Sequence, residues 1–548
     1  MGRVNALASA IGLALVSVFP VSPVLAQGVQ YDLVIRGGRV VDGTGAPSFM
    51  ADVAILDGRI AKIGRITDPG NARVFDATGM VVSPGFIDMM GQTAAPFLED
   101  PSAGWNLLTQ GITTINAGEG GSDAPLAGQA AERAGWSTMR EFFARLESHG
   151  IPINVAQNIG HTQVRRLVIG DVDRQATPAE LERMRGMVRE AMEAGAIGLS
   201  TSLIYPPAIY ASEEEIAALA RVAGEYGGRY FTHMRNEGDR LLEAIDEALR
   251  IGDTAGTPVH IYHLKAAGQA NWPKMDLALS RIRAARKAGQ DVAVDVYPYV
   301  NNGLGIRALI HPRHSAEGQA ALLERLNDAS VRAEMRREME EMSGWENWYA
   351  HAGKDWDRIV LGDIEHQAYT QYNGSTTQEV ADAEGKDAWD VFFEIARVGA
   401  FAMPQTMLEA NKFAAMRAEF TSFDTDVGPA GGSRIASHPR GYGSYPRILA
   451  RYVREFGVMT LEEAIHKMSG AAANEILAFD RGVLAPGLAA DVVVFDPDRI
   501  RDRATFGEPT LVSEGVHLVV VNGEVVLENG RQTDARPGRV LRGPGYRK

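Results

Sequence analysis

The stretches Arg229-Tyr-Phe-Thr-His-Met-Arg235 and Val259-His-Ile-Tyr-His-Leu-Lys265 decide the fold of this chain. Each is a short apolar run typical of a buried strand, and a histidine, His233 or His263, stands near its C-terminal end. A segment with helical periodicity separates them. In a parallel barrel the C-terminal ends of successive strands meet at one rim, where two imidazoles can share a metal ion. Taken alone, a histidine at a strand end is more often a hydrogen-bonded structural residue, so the rest of the chain has to decide.

Eight strand candidates predict a (β/α)8 barrel of the α/β class. They lie at residues 85–89, 111–117, 153–160, 197–202, 230–233, 259–263, 292–297 and 421–426. Segments with helical periodicity lie between most of them, which is the alternation of a TIM-like barrel. The gap before the last strand is too long for one helix. Residues of about 307–420 are therefore predicted to include a helical insertion that lies over the rim as a lid.

Both ends of the chain carry strand patterns with tight-turn signals, at Asp57-Gly58 and at Asn522-Gly523. They predict a small β-sandwich domain assembled from residues 27–83 and 477–548. The barrel would then occupy residues 84–476.

Residues 1–26 have the pattern of a secretory signal peptide, with Arg3, an apolar run and small residues before Gln27. The pattern predicts a periplasmic or secreted protein with no membrane segment after cleavage; an uncleaved N-terminal anchor is the alternative. A net charge of -14 without a Lys/Arg-rich block argues against nucleic-acid binding. Cysteine is absent, which removes disulfides and thiolate ligands. The expected partner is a small-molecule substrate, and the oligomeric state stays open.

Several motifs occur in order along the middle of the chain. They are Ser83-Pro-Gly-Phe-Ile-Asp88, Gly160-His161, Thr232-His-Met-Arg-Asn-Glu-Gly238, His263-Leu-Lys-Ala-Ala-Gly268, Asp295-Val-Tyr-Pro-Tyr299 and His438-Pro-Arg-Gly-Tyr442. Together they resemble the amidohydrolase superfamily and, within it, the D-aminoacylase (N-acyl-D-amino-acid deacylase) family. The resemblance implies metal-dependent hydrolysis of a linear amide in a small carboxylated substrate, with N-acyl-D-amino acids as the substrate class.

The chain departs from the family at its metal ligands. The family places His-x-His after the first barrel strand, where this chain has Met90 and Gln92, a soft thioether and a neutral amide. The family's bridging cysteine is replaced by Glu119 or its neighbour. The resemblance therefore implies one Zn²⁺ with an open fourth position, held by Glu119, His233 and His263; another divalent metal is the alternative. The alternative for Glu119 is an exposed loop carboxylate.

The resemblance also implies roles for residues around this ion. Asp426 would be the catalytic aspartate that moves the proton, a choice over Asp424 that rests on the motif because strand parity turns both the same way. The expected carboxylate-binding residues are Lys265, Tyr297 and Arg440. The residues expected to support the ligands or shape the pocket are His161 and His438.

Two alternatives stay open. The pocket differs from the family's at Met90, Gln92, Ser202 and Gly303, so the substrate could be a cyclic amide, a dipeptide or an ester. The other is a catalytically inactive ligand-binding protein, suggested by the loss of the His-x-His pair. The retention of the other catalytic positions argues against it.

Overall fold

The structure is a computed structural model that describes residues 30–100, 102–431 and 436–548. The predicted signal peptide, residues 1–26, lies outside the described residues. Across the described ranges, no helix combines the length and the apolar composition that a membrane crossing requires.

Eight parallel strands form a closed barrel. In chain order, β1 to β8 are Phe86–Asp88, Ile112–Ala117, Asn154–Gln157, Gly198–Ser202, Arg229–His233, Val259–Ile261, Val292–Val296 and Thr421–Phe423. β1, β2 and β3 pair in parallel, and the short strand Ile159–Gly160 after β3 continues the pairing through β4, β5, β6 and β7 to β8. A hydrogen bond from the Met89 N–H to the Phe423 carbonyl (3.2 Å) closes the ring. The predicted (β/α)8 barrel is confirmed.

Every residue of the eight barrel strands is buried, as expected for parallel strands covered by helices outside and by packed side chains inside. Several strands end earlier than predicted, among them the two that precede the site residues His263 and Asp426. β6 ends before His263 and β8 before Asp426, because both residues have left-handed backbone, with φ of 35° and 50°. A strand does not continue through that conformation.

Helices cover the outside of the barrel. The predicted start at Thr177 is present, since its hydroxyl accepts a hydrogen bond from the Glu180 N–H and Pro178 occupies the first turn. The helices are Pro96–Glu99, Trp105–Leu108, Gly128–Ala134, Met139–His149, His161–Val168, Pro178–Ala194, Glu213–Glu225, Leu241–Ala255, Lys274–Lys287, Glu409–Arg417, Arg440–Arg447, the π-helix Ile448–Glu455, Leu461–Met468 and Gly470–Glu475.

Strands from both ends of the chain form one nine-stranded sheet. They are Leu33–Val40, Phe49–Leu56, Arg59–Gly64, Arg73–Asp76, Val81–Pro84, Val492–Phe495, Val516–Val521, Glu524–Glu528 and Arg531–Gln532. The two groups meet where Val81–Pro84 pairs antiparallel with Val492–Phe495. The expected composite β domain is thus present, with its strands joined in one continuous sheet.

The segment between β7 and Glu409–Arg417 forms the insertion. Its α-helices are Gln319–Arg325, Ala329–Glu341, Trp348–His351, Thr377–Glu384 and Ala388–Val398. It also holds an antiparallel sheet that its short strands did not reveal in the sequence: Leu304–Gly305, Ile359–Gly362 and Phe401–Pro404. The insertion has its own apolar core, which includes Trp348 and Trp389. Helix Glu409–Arg417 falls inside the predicted insertion but packs on Lys274–Lys287 and β7, as a barrel helix does.

Candidate active site and metal centre

The three side chains predicted to bind a metal ion meet at the C-terminal rim of the barrel. Oε1 of Glu119 lies 2.7 Å from Nδ1 of His233 and 3.3 Å from Nε2 of His263. The two rings are nearly perpendicular, at 83°, with centroids 4.4 Å apart. The three ligand atoms lie within 4.8 Å of one another. Two imidazole nitrogens and one carboxylate oxygen can hold a divalent ion and leave a coordination position open.

Glycines on both sides of Glu119 let the loop after β2 pass close to its neighbours. Gly118 has a φ of +95°, and a Cβ there would lie 2.9 Å from Nε2 of Gln157. Gly120 has a φ of +66°, and a Cβ there would lie 2.6 Å from the Cβ of Ser202. Only glycine combines this backbone with this closeness. The side chain of Glu119 is 11% exposed, so it is not the exposed loop carboxylate that the sequence left as the alternative.

Glu237, which the sequence analysis did not single out, joins both histidines to a lysine. Its Oε1 lies 2.6 Å from Nζ of Lys265 and 3.0 Å from Nδ1 of His263, and its Oε2 lies 3.6 Å from Nε2 of His233. Burial opposes its charge, but Lys265 and the two histidines outweigh burial and hold the pKa of Glu237 well below its usual range. The ionised carboxylate therefore orients the ring edges that face away from Glu119. The sequence feature that could have indicated this role is the position of Glu237 four residues after His233.

Asp426 lies beside this centre and is held from two sides. Its Oδ1 accepts a hydrogen bond from Nε2 of Gln92 at 2.6 Å. Its Oδ2 lies 2.6 Å from Nη1 of Arg440, an ion pair without the angles of a directed hydrogen bond. Burial raises the pKa of Asp426, although Arg440 and His263 oppose the rise. A raised pKa makes a carboxylate a stronger base, which suits a group that accepts a proton and later returns it.

Strand parity does not relate Asp424 to Asp426, contrary to the expectation from the sequence, because both residues lie beyond the end of β8. β8 ends at Phe423, so the alternation does not reach Asp426. Asp424 is fully buried, and burial together with Asp295 holds its pKa well above its usual range. Asp295 in turn binds Nε2 of His260 at 2.9 Å and accepts a hydrogen bond from the His263 N–H. Asp424 thus lies near Asp295, and within the described residues neither of its carboxylate oxygens has a hydrogen-bond partner.

The three residues expected to bind the substrate's carboxylate are buried and adjacent. Cζ of Arg440 lies 4.7 Å, and Nζ of Lys265 5.8 Å, from the ring centroid of Tyr297. Lys265 also lies 2.7 Å from Nδ1 of His263, so a direct contact rather than a continued strand joins these two. A Cβ at Gly303 would lie 2.6 Å from Nη2 of Arg440, so glycine leaves room for the guanidinium. Their roles in substrate binding stay predictions.

A cavity of 320 Å³ opens beside Asp426. Gln92 and His438 line it with Asp426, and the insertion supplies Asp363 and Phe401 to its wall. Its size is in the range of small-molecule sites. The insertion therefore shapes the space next to the proton-transfer candidate.

A profile of the amidohydrolase family matches residues 73–527. The chain belongs to the amidohydrolase family. The family inferred from the motifs is confirmed, and this amidohydrolase has relatives over nearly its whole length. The N-acyl-D-glutamate deacylase of Alcaligenes xylosoxydans xylosoxydans is 36% identical over 526 residues, which are 94% of this chain and 97% of the relative.

Two solved amidohydrolase structures are similar in fold and sequence. One is the N-acyl-D-glutamate deacylase from Bordetella bronchiseptica, complexed with zinc and a phosphonate inhibitor that mimics the tetrahedral intermediate of the reaction; it is 33% identical, with a TM-score of 0.78 over 94% of this chain and 100% of that chain. The other is a D-aminoacylase with a binuclear metal centre, for which one-metal activation and second-metal attenuation are described. It is 32% identical, with a TM-score of 0.78 over 93% of this chain and 100% of that chain.

The two histidines expected to support this amidohydrolase site have different surroundings. Nδ1 of His438 accepts a hydrogen bond from the Arg440 N–H at 3.0 Å, and burial and Arg440 hold its pKa well below the usual range, so its ring is neutral. His161 lies 2.8 Å from Glu215, which also binds Arg165 at 2.6 Å, in a buried network between two outer helices. His438 therefore shapes the cavity, whereas His161 joins helices.

Lys412 is a buried lysine that the sequence analysis missed. It is 2% exposed, its Nζ lies 4.4 Å from the ring centroid of Tyr297, and within the described residues Nζ has no hydrogen-bond partner. Burial, assisted by Lys265, lowers the pKa of Lys412 to about 7. A lysine in a helix gives no sequence signal that it is buried, so only the packing identifies it.

Proposed function

We propose that this amidohydrolase removes the acyl group from N-acyl-D-amino acids in a metal-dependent hydrolysis. The observation that carries the proposal is the meeting of Glu119, His233 and His263 at one barrel rim, with Asp426 linked to Glu119 through Gln92. The substrate class is supported by the similar proteins, which are named as an N-acyl-D-glutamate deacylase and a D-aminoacylase.

One zinc ion per chain is the cofactor in this proposal. The donor set fits it, because Nδ1 of His233 and Nε2 of His263 converge on Oε1 of Glu119. Burial opposes ionisation of Glu119, but both histidines outweigh it and hold the pKa of this carboxyl well below its usual range. Zinc bound there would lower the pKa of a water molecule and polarise the scissile carbonyl.

Asp426 moves the proton. Its carboxylate takes the proton that the attacking water loses as the new C–O bond forms. It then gives that proton to the amine nitrogen as the C–N bond breaks, which returns Asp426 to its ionised form. Gln92 and Arg440 hold the two carboxylate oxygens during both transfers.

Arg440 binds the free carboxylate of the substrate, with Lys265 and Tyr297 beside it. Nη1 of Arg440 faces Asp426, but in the described part of the chain Nε of Arg440 has no hydrogen-bond partner, so this donor remains for the carboxylate of the substrate. Lys265 is already paired with Glu237, so it adds positive potential more than a free donor.

The test is a substrate panel with the purified full chain loaded with zinc. N-acetyl-D-amino acids should release free amine, the L-isomers should react far more slowly, and a chelator should stop the reaction until zinc is returned. Hydrolysis of dipeptides, lactams or esters in place of N-acyl-D-amino acids would favour the alternative in which the substrate is a dipeptide, a cyclic amide or an ester. A zinc-loaded chain inert toward the whole panel would favour the inactive ligand-binding protein.

Export to the periplasm or the medium is part of the proposal, supported by the signal pattern of residues 1–26. N-terminal sequencing of the mature protein should begin at Gln27. An intact Met1 in the mature protein would contradict cleavage.

A further inference from the structure

One nitrogen atom of Gln92 holds two active-site carboxylates. Nε2 lies 2.8 Å from Oε2 of Glu119 and 2.6 Å from Oδ1 of Asp426. Both amide hydrogens are used, one on each acid. The orientation of the amide follows from its partners, because the amide oxygen would repel either carboxylate.

Without this amide, the space between the two carboxylates would favour a bound cation. Glu119 and Asp426 each place an oxygen within hydrogen-bond distance of a single atom, and two carboxylates in that arrangement can bridge a divalent ion. A neutral amide supplies two donors in that space without a charge. Arg440 binds the other oxygen of Asp426 and balances its charge.

The backbone of Gln92 is fixed in an unusual conformation that aims the amide. Its φ is 59°, in the left-handed region that residues other than glycine rarely adopt. Its carbonyl accepts a hydrogen bond from the N–H of Gly118 at 2.8 Å, next to Glu119. Such strain persists where the surrounding structure enforces it, often at functional sites.

Met90, two residues earlier, leaves no second ligand from the same strand end. Its side chain is fully buried in the barrel interior in a cluster with Phe231 and Tyr262. A thioether is also a poor match for zinc compared with imidazole or carboxylate. Within the described ranges, Glu119, His233 and His263 are the one group of at least three ligand side chains that converge.

We propose that Gln92 takes the place of a second metal ion: it holds Glu119 and Asp426 in position and keeps the centre mononuclear. Excess zinc then leaves the rate unchanged, unlike the D-aminoacylase whose second metal attenuates activity. The statements about rate rest on the proposed function, whereas the number of bound ions does not. Gln92 is a positioning residue in this proposal, since it acts through the two carboxylates.

Zinc titration of the full chain by calorimetry and elemental analysis tests the exclusion of a second ion. The unchanged chain should bind one zinc ion, with no further binding and no loss of rate in excess zinc. Gln92→Ala keeps the Cβ and removes the amide, so a second, weaker zinc ion should bind and excess zinc should lower the rate. A second ion bound by the unchanged chain would refute the exclusion.

Gln92→Leu tests the positioning role, because it fills the space without any donor. It should bind one zinc ion, but kcat should fall by about 10- to 100-fold since Asp426 is no longer held. Gln92 donates a hydrogen bond to the charged form of Asp426. The loss of this donor should therefore raise the pKa of Asp426 and move the acid limb of the pH–rate profile to higher pH. An unchanged kcat and an unchanged profile would refute the positioning role.

The controls separate these outcomes from misfolding and from a wrong activity. Gln371→Leu makes the same change at an exposed glutamine of the insertion and should leave zinc binding and melting temperature unchanged. One tight zinc equivalent in each Gln92 variant shows that its site is folded. If the unchanged chain hydrolyses no N-acyl-D-amino acid, the proposed function fails, and the ion counts still decide whether Gln92 excludes a second ion.

Discussion

Oδ2 of Asp426 lies 2.6 Å from Nη1 of Arg440, and both side chains are buried. Burial, the larger effect, raises the pKa of Asp426, while the guanidinium favours its charged form. The proton-transfer candidate is thus coupled to the residue expected to bind the substrate's carboxylate. Binding of an anion at Arg440 therefore changes the electrostatic surroundings of Asp426.

Asp426→Asn should abolish most of the turnover. An amide of nearly the same shape keeps the contact with the site but cannot take a proton, so kcat should fall by about 10³-fold. The chain should still bind one zinc ion, which elemental analysis checks beside the kinetics. Asp424→Asn is the matched control two residues away, and it should retain kcat within about tenfold. Equal losses in both variants would contradict the assignment to Asp426.

Arg440→Met should shift the pH dependence as well as weaken substrate binding. Without the guanidinium, burial raises the pKa of Asp426 further. Asp426 must be ionised to accept the proton, so the acid limb of kcat/KM should move about one pH unit higher. KM should rise about tenfold or more because the planar donor pair is lost.

Arg440→Lys separates the two effects. Its charge should return the acid limb toward that of the unchanged chain, whereas KM should stay high since an ammonium lacks the bidentate fork. An acid limb that does not move in Arg440→Met would show that another group controls it.

Glu237→Gln should loosen the metal centre. The carboxylate that orients His263 and neutralises Lys265 is replaced by an amide, so zinc affinity should fall by about 10- to 100-fold. Competition with a chelator of known affinity measures the change. Glu243→Gln, at an exposed position of helix Leu241–Ala255, is the control and should bind zinc as the unchanged chain does. Unchanged affinity in Glu237→Gln would mean that the histidines are oriented without it.

The barrel and its ligand candidates could be predicted because their signals are local. Short apolar runs separated by helical periods give the strands, and each run ends close to a polar residue such as His233 or His263. The exact strand ends could not be predicted, since they depend on left-handed residues whose conformation is set by their contacts.

The residues that contact each other across the barrel rim could not be predicted from the sequence, for a different reason. Gln92 and Asp426 are 334 residues apart in the chain, and their hydrogen bond exists only once the barrel closes. Glu237 lay inside a recognised motif, but its role depends on the position of Lys265 on the next strand's loop. Residue type and spacing therefore predict candidate ligands, while the residues that orient them require the tertiary structure.

Lys412→Met should stabilise the fold at neutral pH. Burial, with Lys265, lowers the pKa of Lys412 from 10.5 to about 7, so between these values the unfolded chain holds a proton that the folded chain does not. The free energy of unfolding of the unchanged chain therefore rises as the pH rises from about 7 toward 10.5. Below pH 7 the folded chain carries the buried charge, and its full energetic cost applies. The variant should raise the free energy of unfolding by ~2 kcal/mol at pH 7, with the gain shrinking by pH 10, as measured by urea denaturation. Lys287→Met, at an exposed site, should change it by less than about 0.5 kcal/mol. Destabilisation by Lys412→Met at every pH would show instead that the ammonium over the Tyr297 ring supports the fold.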